Sequence, residues 1–277
     1  MVGRLANKNT IITGAAGGIG LETAIQFLKE GANVVISDVN DKGLTAAEQK
    51  IKEVVGSFEG KLVAKVADVS NEVQVMALVE VCEPWGGVDV MFNNAGIMHP
   101  EDNGILNTEE KIWDLTQAIN VKGVVYGCRA AIKSLLEHKK PGSIINTGSF
   151  VGLMGAATPQ IAYTASKGAV LAISRELAVC YAQKNIRVNA LCPGPLNTPL
   201  LQAFLDTDEK RTRRTVHLPM GRFGEAIEQA KAAVFLASDE SSYVTGQDFL
   251  VDGGLTRAYV TDITGSAAAP KNLAFGL

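Results

Sequence analysis

Tyr163 and Lys167 are the first residues of this sequence whose types and spacing indicate chemistry. They are four residues apart near the beginning of a segment with helical periodicity, which places both side chains on one helical face. Tyrosine, with a reference pKa near ~10, is a weak base, but a neighbouring cation and the positive end of a helix dipole favour its phenolate. The pair therefore predicts a proton-transfer centre, although the same spacing is also common in surface pairs.

Ser149 is a candidate for the same centre, because it lies just past a strand pattern that begins at Ser143. A hydroxyl there can hydrogen-bond a substrate oxygen as negative charge develops on that atom. The alternative is a turn serine that satisfies only local backbone groups. With Tyr163 and Lys167, Ser149 indicates acid–base catalysis at the oxygen of an alcohol or a ketone.

A glycine-rich turn, Thr13–Gly20, joins the first predicted strand to the first predicted helix. Such a turn brings backbone N–H groups and a helix N-terminus close to a pyrophosphate, which any Cβ would hold away. A simple tight connection between strand and helix is the alternative. The candidate cofactor-binding residues of the turn are Gly14, Gly17, Gly18, Ile19 and Gly20.

Asp38 lies just past the second predicted strand, 18 residues after Gly20. An acidic side chain at this place accepts hydrogen bonds from adenosine ribose hydroxyls and repels a 2′-phosphate. An ordinary solvated loop aspartate is the alternative. The glycine turn and Asp38 together predict a dinucleotide site.

Short β-branched runs alternate with helical patterns along the whole chain, which predicts a parallel sheet covered by helices. We expect the α/β class: a single-domain Rossmann-type, doubly wound parallel sheet of seven strands with helices on both faces. The domain spans residues 1–277, with a substrate lid region at 195–225 that we expect to be irregular and a C-terminal extension at 255–277. The predicted strands are Thr10–Ile12, Asn33–Ile36, Leu62–Ala64, Val88–Phe92, Ser143–Asn146, Arg187–Leu191 and Asp248–Val251.

Composition narrows the range of partners. The 277 residues carry a net charge of −3, which leaves no basic footprint for nucleic acid. Apolar runs are too short for a membrane span, and the N-terminus does not resemble a signal peptide, so we expect an intracellular, cytoplasmic protein that binds small molecules. Four cysteines and two histidines near the predicted site lack metal-ligand spacing, so no metal is expected: Cys82, Cys128, Cys180, Cys192, His99 and His217.

Several motifs in the same order resemble the classical short-chain dehydrogenases/reductases. The glycine turn is similar to that family's T-G-x-x-x-G-x-G pattern, and Asn93–Gly96, Tyr163–Lys167, Pro193–Gly194 and Asp252–Gly254 stand in family positions. The resemblance runs from about Asn9 to Gly254. It implies an oxidoreductase that transfers hydride between a nicotinamide cofactor and a small molecule.

The resemblance also implies roles for individual residues. Catalysis would involve Asn120, Ser149, Tyr163 and Lys167, with Asn120 bending a long helix and holding a water molecule in a relay to Lys167. Asp38, and the lack of a basic residue at Ala16 or Gly17, imply NAD rather than NADP. The further cofactor contacts would be Asp68 and Val69 at adenine, Asn94, Ala95 and Gly96 beside the adenosine half, Tyr163 and Lys167 at the nicotinamide ribose, and Pro193, Gly194, Leu196 and Thr198 at the nicotinamide.

Two departures from the family pattern leave the shape of the substrate pocket open. Thirteen residues separate Ser149 from Tyr163, one more than the family usually has, and Thr147 and Gly148 replace a small hydrophobic residue and a serine. The expected walls are mainly apolar, which favours an apolar, cyclic or aryl secondary alcohol or ketone. These walls are Ile97, Met98, Phe150, Leu153, Met154, Pro195, Leu200, Leu201, Phe204 and Leu205.

Other functions remain open at this stage. A sugar, polyol or acyl substrate is not separated from an apolar one by these motifs. A non-catalytic NAD-binding scaffold would not need all four catalytic residues, and a Rossmann-type methyltransferase would need neither Tyr163 nor Lys167. We also expect a homotetramer built on the apolar helices around Val121–Leu136 and Lys167–Tyr181, with the C-terminal extension packed over an interface.

Overall fold

The computed structural model describes residues 3–156, 158–198 and 205–257. The strands are β1 (Asn9–Thr13), β2 (Asn33–Asp38), β3 (Leu62–Val66), β4 (Val90–Asn93), β5 (Gly142–Thr147), β6 (Ile186–Pro193) and β7 (Asp248–Val251). Within the described residues they form one parallel sheet in the order β3-β2-β1-β4-β5-β6-β7. The predicted doubly wound, seven-stranded sheet is confirmed, and strand ends differ from the prediction by at most two residues.

Helices cover both faces of this sheet. Side chains alternate along each strand, so that Ile12 of β1 packs into one core and Ile11 packs into the other. The helices of the described residues are α1 (Gly18–Lys29), α2 (Asp41–Val55), α3 (Glu72–Glu80), α4 (Glu110–Gln117), α5 (Gly123–Glu137), α6 (Ile161–Tyr181), α7 (Asp208–Thr215) and α8 (Ala226–Ala237). The Ile12 core includes α1, α2 and α8, whereas the Ile11 core includes α3, α5 and α6.

The direction of strand succession reverses beside β1, which pairs with β2 on one side and β4 on the other. Open α/β sheets bind ligands in the crevice that forms at such a point, outside the carboxyl ends of the strands. Gly14 follows β1 and Asn94 follows β4, so both residues lie at this edge. The fold therefore brings the predicted cofactor residues to the place where a dinucleotide would bind.

A π-helical turn, Ala118–Lys122, joins α4 to α5, and Asn120 is its buried residue. The turn interrupts what would otherwise be one long helix. Inserted π-helical turns occur frequently at functional sites, because the extra residue redirects one side chain. Here that side chain is the amide of Asn120.

The predicted lid region at residues 195–225 contains the short helix α7. Thr207 caps α7 by accepting a hydrogen bond from the Lys210 N–H at 3.3 Å, and none of the helix residues is buried. The predicted wall residues Leu200, Leu201 and Phe204, and residues 258–277 of the C-terminal extension, lie outside the described residues. No helix in the described ranges is long and apolar enough to cross a membrane.

Candidate active site

Ser149, Tyr163 and Lys167 meet at the carboxyl edge of the sheet. Ser149 follows β5, whereas Tyr163 and Lys167 belong to the first two turns of α6. The Ser149 hydroxyl lies close enough to the Tyr163 phenol to lower its pKa by hydrogen bonding. The Lys167 Nζ lies 5.4 Å from the centre of the Tyr163 ring, on the same helical face. The structure thus brings together three of the residues that the sequence indicated for proton transfer.

The acidities of this pair differ from the sequence-based expectation. Burial raises the pKa of the Tyr163 phenol above its ordinary value, and the hydrogen bond from Ser149 opposes that shift. Burial also lowers the pKa of Lys167 to about 8. The Lys167 Nζ donates a hydrogen bond to the Thr147 carbonyl at 2.8 Å, so the amino group of Lys167 points towards the end of β5. In the protein alone, burial therefore favours the neutral phenol of Tyr163, which is the opposite direction from the one expected from the sequence.

Asn120 reaches the same centre through other protein groups. Its Oδ1 accepts a hydrogen bond from the Ile97 N–H at 2.8 Å, and its Nδ2 donates to the Ile97 carbonyl at 2.8 Å. The same Nδ2 donates to the Ser166 hydroxyl at 3.0 Å. Asn120 therefore joins the loop after β4 to α6, and its direct partner on that helix is Ser166, the neighbour of Lys167.

The glycine turn fits a pyrophosphate group. A Cβ on Gly14 would lie 2.7 Å from the Ala95 Cα, and one on Gly20 would lie 2.3 Å from the Gly14 carbonyl oxygen. Both positions therefore require glycine because the backbone is crowded on that side. Among the described residues, nothing lies within 4 Å of a Cβ built on Gly17 or Gly18. The outer side of the turn is thus open, at the uncapped N-terminus of α1, where Ile19 is also only partly buried.

Asp38 closes the glycine turn from the end of β2. Its Oδ2 accepts a hydrogen bond from the Ala16 N–H at 3.1 Å, and its Oδ1 accepts one from the Asn40 N–H at 3.0 Å. Within the described ranges, no lysine or arginine forms an ion pair with this carboxylate. The partly exposed carboxylate fits the hydroxyls of a ribose and would repel a phosphate.

The predicted adenine contacts lie after β3. Asp68 Oδ1 accepts hydrogen bonds from the backbone N–H and the hydroxyl of Ser70, at 2.8 and 2.7 Å. Val69 is buried against the start of α5, where a Cβ on Gly123 would lie 2.9 Å from its Cγ2. Asp68 and Val69 thus have fixed positions at this end of the sheet.

Asn94 joins β4 to the glycine turn. Its Nδ2 donates to the carbonyls of Thr13 and Gly14, at 3.0 and 3.2 Å. Its Oδ1 accepts a hydrogen bond from the Thr147 hydroxyl at 3.2 Å. Gly96, two residues further on, lies close to Lys167: a Cβ built on Gly96 would be 3.6 Å from the Lys167 Nζ. The segment Asn94–Gly96 therefore borders both halves of the crevice.

The predicted nicotinamide contacts follow β6. The Gly194 N–H donates to the Val251 carbonyl at 3.1 Å, and a Cβ on Gly194 would lie 2.6 Å from the Asp252 Cα. Pro193 ends the strand, and Leu196 forms an isolated bridge with Gly224. Thr198 is partly buried at the end of the described segment.

Several predicted pocket walls are large apolar side chains that remain exposed. Met98, Leu153 and Met154 have 40%, 45% and 41% of their surface accessible. Leu205, in contrast, is buried at 4%, so it packs inside the protein rather than facing an open pocket. Ile97, Phe150 and Pro195 are half-buried. The walls that follow Gly96 and Ser149 can therefore offer apolar surface to a substrate.

The two histidines near the site have ordinary surroundings. His99 accepts a hydrogen bond at Nδ1 from the Glu101 N–H at 3.1 Å, within the loop after β4. His217 is exposed beyond α7. In the described part of the chain, no group of three or more His, Cys, Asp or Glu side chains could hold a metal ion.

Sequence reasoning did not identify Asp102, whose carboxylate contacts the first turn of α6. It accepts hydrogen bonds from the backbone N–H groups of Ala162 and Tyr163. One signal was present in the sequence: Gln160, which precedes α6, is not among the residues that cap helices well. A helix start without a local cap needs acceptors from elsewhere in the fold.

Comparisons with known proteins agree with this geometry. A family model described as "Enoyl-(Acyl carrier protein) reductase" matches residues 14–256. The chain is 39% identical to a glucose 1-dehydrogenase of Gluconobacter oxydans, over 91% of this chain and 93% of the relative. It is 38% identical to a 3-oxoacyl-[acyl-carrier-protein] reductase of Thermotoga maritima, over 91% and 99% of the two chains. The crystal structure of a levodione reductase superimposes with a TM-score of 0.85 at 34% identity, covering 92% of this chain and 100% of that one.

Proposed function

Because the chain belongs to the short-chain dehydrogenase/reductase family, we propose that it transfers hydride between NAD(H) and a secondary alcohol or ketone. The family relationship makes the chain an oxidoreductase that uses a nicotinamide cofactor and a small-molecule substrate. The observation that carries the finer proposal is the contact between the Ser149 and Tyr163 hydroxyls, with the Lys167 Nζ 5.4 Å from the Tyr163 ring.

The proposed mechanism assigns one proton step to the protein. A bound nicotinamide supplies the hydride acceptor for alcohol oxidation and the donor for ketone reduction. In oxidation the carbinol C–H bond loses hydride while its O–H proton passes to the Tyr163 oxygen, and the product is a ketone. Ser149 donates a hydrogen bond to the same substrate oxygen. Lys167 would hold the cofactor ribose and, as a cation, would favour deprotonation of Tyr163.

Support for NAD rather than NADP comes from Asp38. Its carboxylate is fixed by the Ala16 and Asn40 N–H groups and has no basic side chain paired with it among the described residues. A phosphate placed there would meet a negative charge at short range, which is unfavourable. The proposed cofactor contacts are those of the glycine turn together with Asp38, Asp68, Val69, Asn94, Ala95, Gly96, Pro193, Gly194, Leu196 and Thr198.

Apolar or cyclic substrates are proposed because Met98, Leu153 and Met154, in the segments that follow Gly96 and Ser149, leave large apolar surfaces exposed. Burying such surface contributes about 25 cal/mol per Å² to binding, before the cost of immobilising the substrate. A sugar is the second candidate, since a relative with 39% identity is named a glucose 1-dehydrogenase.

Absorbance of the reduced nicotinamide tests the proposal directly. Purified protein is offered NAD or NADP with matched panels of cyclic secondary alcohols, linear secondary alcohols and aldoses. We expect turnover with NAD and the highest kcat/KM in the cyclic panel. Highest efficiency with aldoses would replace the substrate assignment with the second candidate. Tight NAD binding without turnover of any panel would instead support a non-catalytic scaffold.

A further inference from the structure

The first turn of α6 contains Tyr163 and lacks a cap of its own. The initial N–H groups of a helix have no partner within the helix and need acceptors from elsewhere. Gln160, the residue before α6, makes no side-chain capping hydrogen bond. The orientation of Tyr163 therefore depends on what binds these N–H groups.

A loop more than fifty residues earlier in the chain supplies the acceptors. Asp102 Oδ1 accepts from the Ala162 N–H at 3.1 Å, and Asp102 Oδ2 accepts from the Tyr163 N–H at 2.8 Å. The Asn103 carbonyl accepts from the Ile161 N–H at 3.0 Å. Asp102 is only 8% exposed. A buried carboxylate on two N–H groups at a helix N-terminus combines charge-assisted hydrogen bonds with a favourable dipole interaction.

The backbone of Tyr163 is held on its other side as well. The Ser166 hydroxyl donates to the Tyr163 carbonyl at 2.6 Å and accepts from the Asn120 Nδ2 at 3.0 Å. Asn120 in turn pairs with both backbone groups of Ile97, in the same loop that carries Asp102. The loop after β4 thus contacts the N–H of Tyr163 directly and its carbonyl through two side chains.

We propose that Asp102 is a positioning residue for Tyr163, which fixes the first turn of α6 through two backbone N–H groups. The inference rests on the proposed role of Tyr163 in proton transfer.

Asp102→Asn is the main test. Asparagine keeps one acceptor oxygen but replaces the other with an NH₂ group. That NH₂ group would face one of the two backbone N–H groups, donor against donor, and the hydrogen bond would be lost. We expect kcat to fall about 10- to 100-fold, since small displacements of a reacting group have effects of that size. KM for NAD should change less than about twofold, because the glycine turn is untouched.

Glu101→Gln is the matched control, because it removes the same charge from the neighbouring, exposed position. We expect the control to match the wild type in kcat and in KM for NAD. Asp102→Glu keeps the charge but shifts the carboxylate by one methylene, so it should also lower kcat. If Asp102→Asn does not fold, Asp102→Glu decides: reduced kcat at an unchanged melting temperature supports the proposal, and wild-type kcat overturns it.

Hydrogen exchange distinguishes failure of this inference from failure of the proposed function. If the wild type turns over no substrate, the proposed function fails. Hydrogen exchange at the amides of residues 161–164 still measures whether Asp102 stabilises the first turn of α6. We expect these amides to exchange faster in Asp102→Asn than in Glu101→Gln. Wild-type exchange together with kcat within about twofold of the wild type would overturn the positioning role.

Discussion

The Lys167 Nζ donates a hydrogen bond to the backbone carbonyl of Thr147 at 2.8 Å, at the end of β5. The hydroxyl of the same Thr147 donates to the Asn94 Oδ1 at 3.2 Å, and Asn94 binds the carbonyls of Thr13 and Gly14. Thr147 stands at one of the two positions that depart from the family pattern. This departure therefore connects the lysine of the proposed centre with the turn that would bind the pyrophosphate.

Thr147→Val should weaken cofactor binding. The substitution keeps the carbonyl that binds Lys167 but leaves the Asn94 Oδ1 without its donor, a loss of about 1 kcal/mol or more. We expect the Kd for NADH to rise about three- to tenfold, measured by nucleotide fluorescence. Thr147→Ser, which retains the hydroxyl, should bind like the wild type. Equal affinity of the Val and Ser variants would show that this hydrogen bond does not support the turn.

Tyr163→Phe should abolish most of the turnover and leave NAD binding nearly intact. The hydroxyl is the proposed proton donor and acceptor, whereas the ring only packs, and loss of such a group costs about 100- to 10,000-fold in kcat. Steady-state kinetics and nucleotide titration measure the two effects separately. Tyr181→Phe, at the other end of α6, is the control and should retain activity. Comparable turnover in Tyr163→Phe would rule out the mechanism.

Asp38 should make the enzyme select NAD. Charge repulsion at this carboxylate predicts that kcat/KM favours NAD over NADP by at least about tenfold, equivalent to roughly 1.4 kcal/mol. Asp38→Asn should reduce that ratio, whereas Asp41→Asn, at the start of α2, removes an equal charge away from the glycine turn and should leave it unchanged. Equal efficiency of the wild type with both cofactors would contradict the role of Asp38.

Oxidation and reduction should respond to pH in opposite directions. Burial raises the pKa of Tyr163, so the phenol stays protonated over a wider pH range. Ketone reduction uses this proton, while alcohol oxidation needs the deprotonated oxygen. We therefore expect kcat/KM for oxidation to rise between about pH 7 and about pH 9 and that for reduction to level off or fall. A decrease of the oxidation rate over this interval would exclude Tyr163 as the base.

Val179 should belong to a subunit interface. It is 80% exposed on α6, and Leu136 on α5 is 41% exposed, which leaves apolar surface on the two helices where we expect a homotetramer. Val179→Glu should lower the mass measured by light scattering at micromolar concentration. Val73→Glu, on α3 at 78% exposure, offers a matched control that should keep the wild-type mass. A wild-type monomer, or equal masses for both variants, would contradict the assignment.

Much of the fold and of the site could be predicted from local patterns. Alternating strand and helix periodicities identified the seven strands, since burial of both sheet faces imposes the same apolar pattern on each. Gly14, Asp38, Ser149, Tyr163 and Lys167 were also predicted as site residues in this way, and the structure places them at the carboxyl edge of the sheet. Their roles depend on a position after a strand or at the start of a helix, which sequence spacing records.

Contacts between residues far apart in the chain could not be predicted from sequence spacing and became visible only in the tertiary structure. Asp102 meets Tyr163 across 61 residues of chain, and Lys167 binds the carbonyl of a residue 20 positions earlier. Every residue has a backbone carbonyl, so the sequence does not show which carbonyl Lys167 binds. An aspartate that caps a distant helix looks in the sequence like any other loop aspartate. The sign of the pKa shift of Tyr163 was likewise hidden, because it depends on how much water the folded protein removes from the phenol.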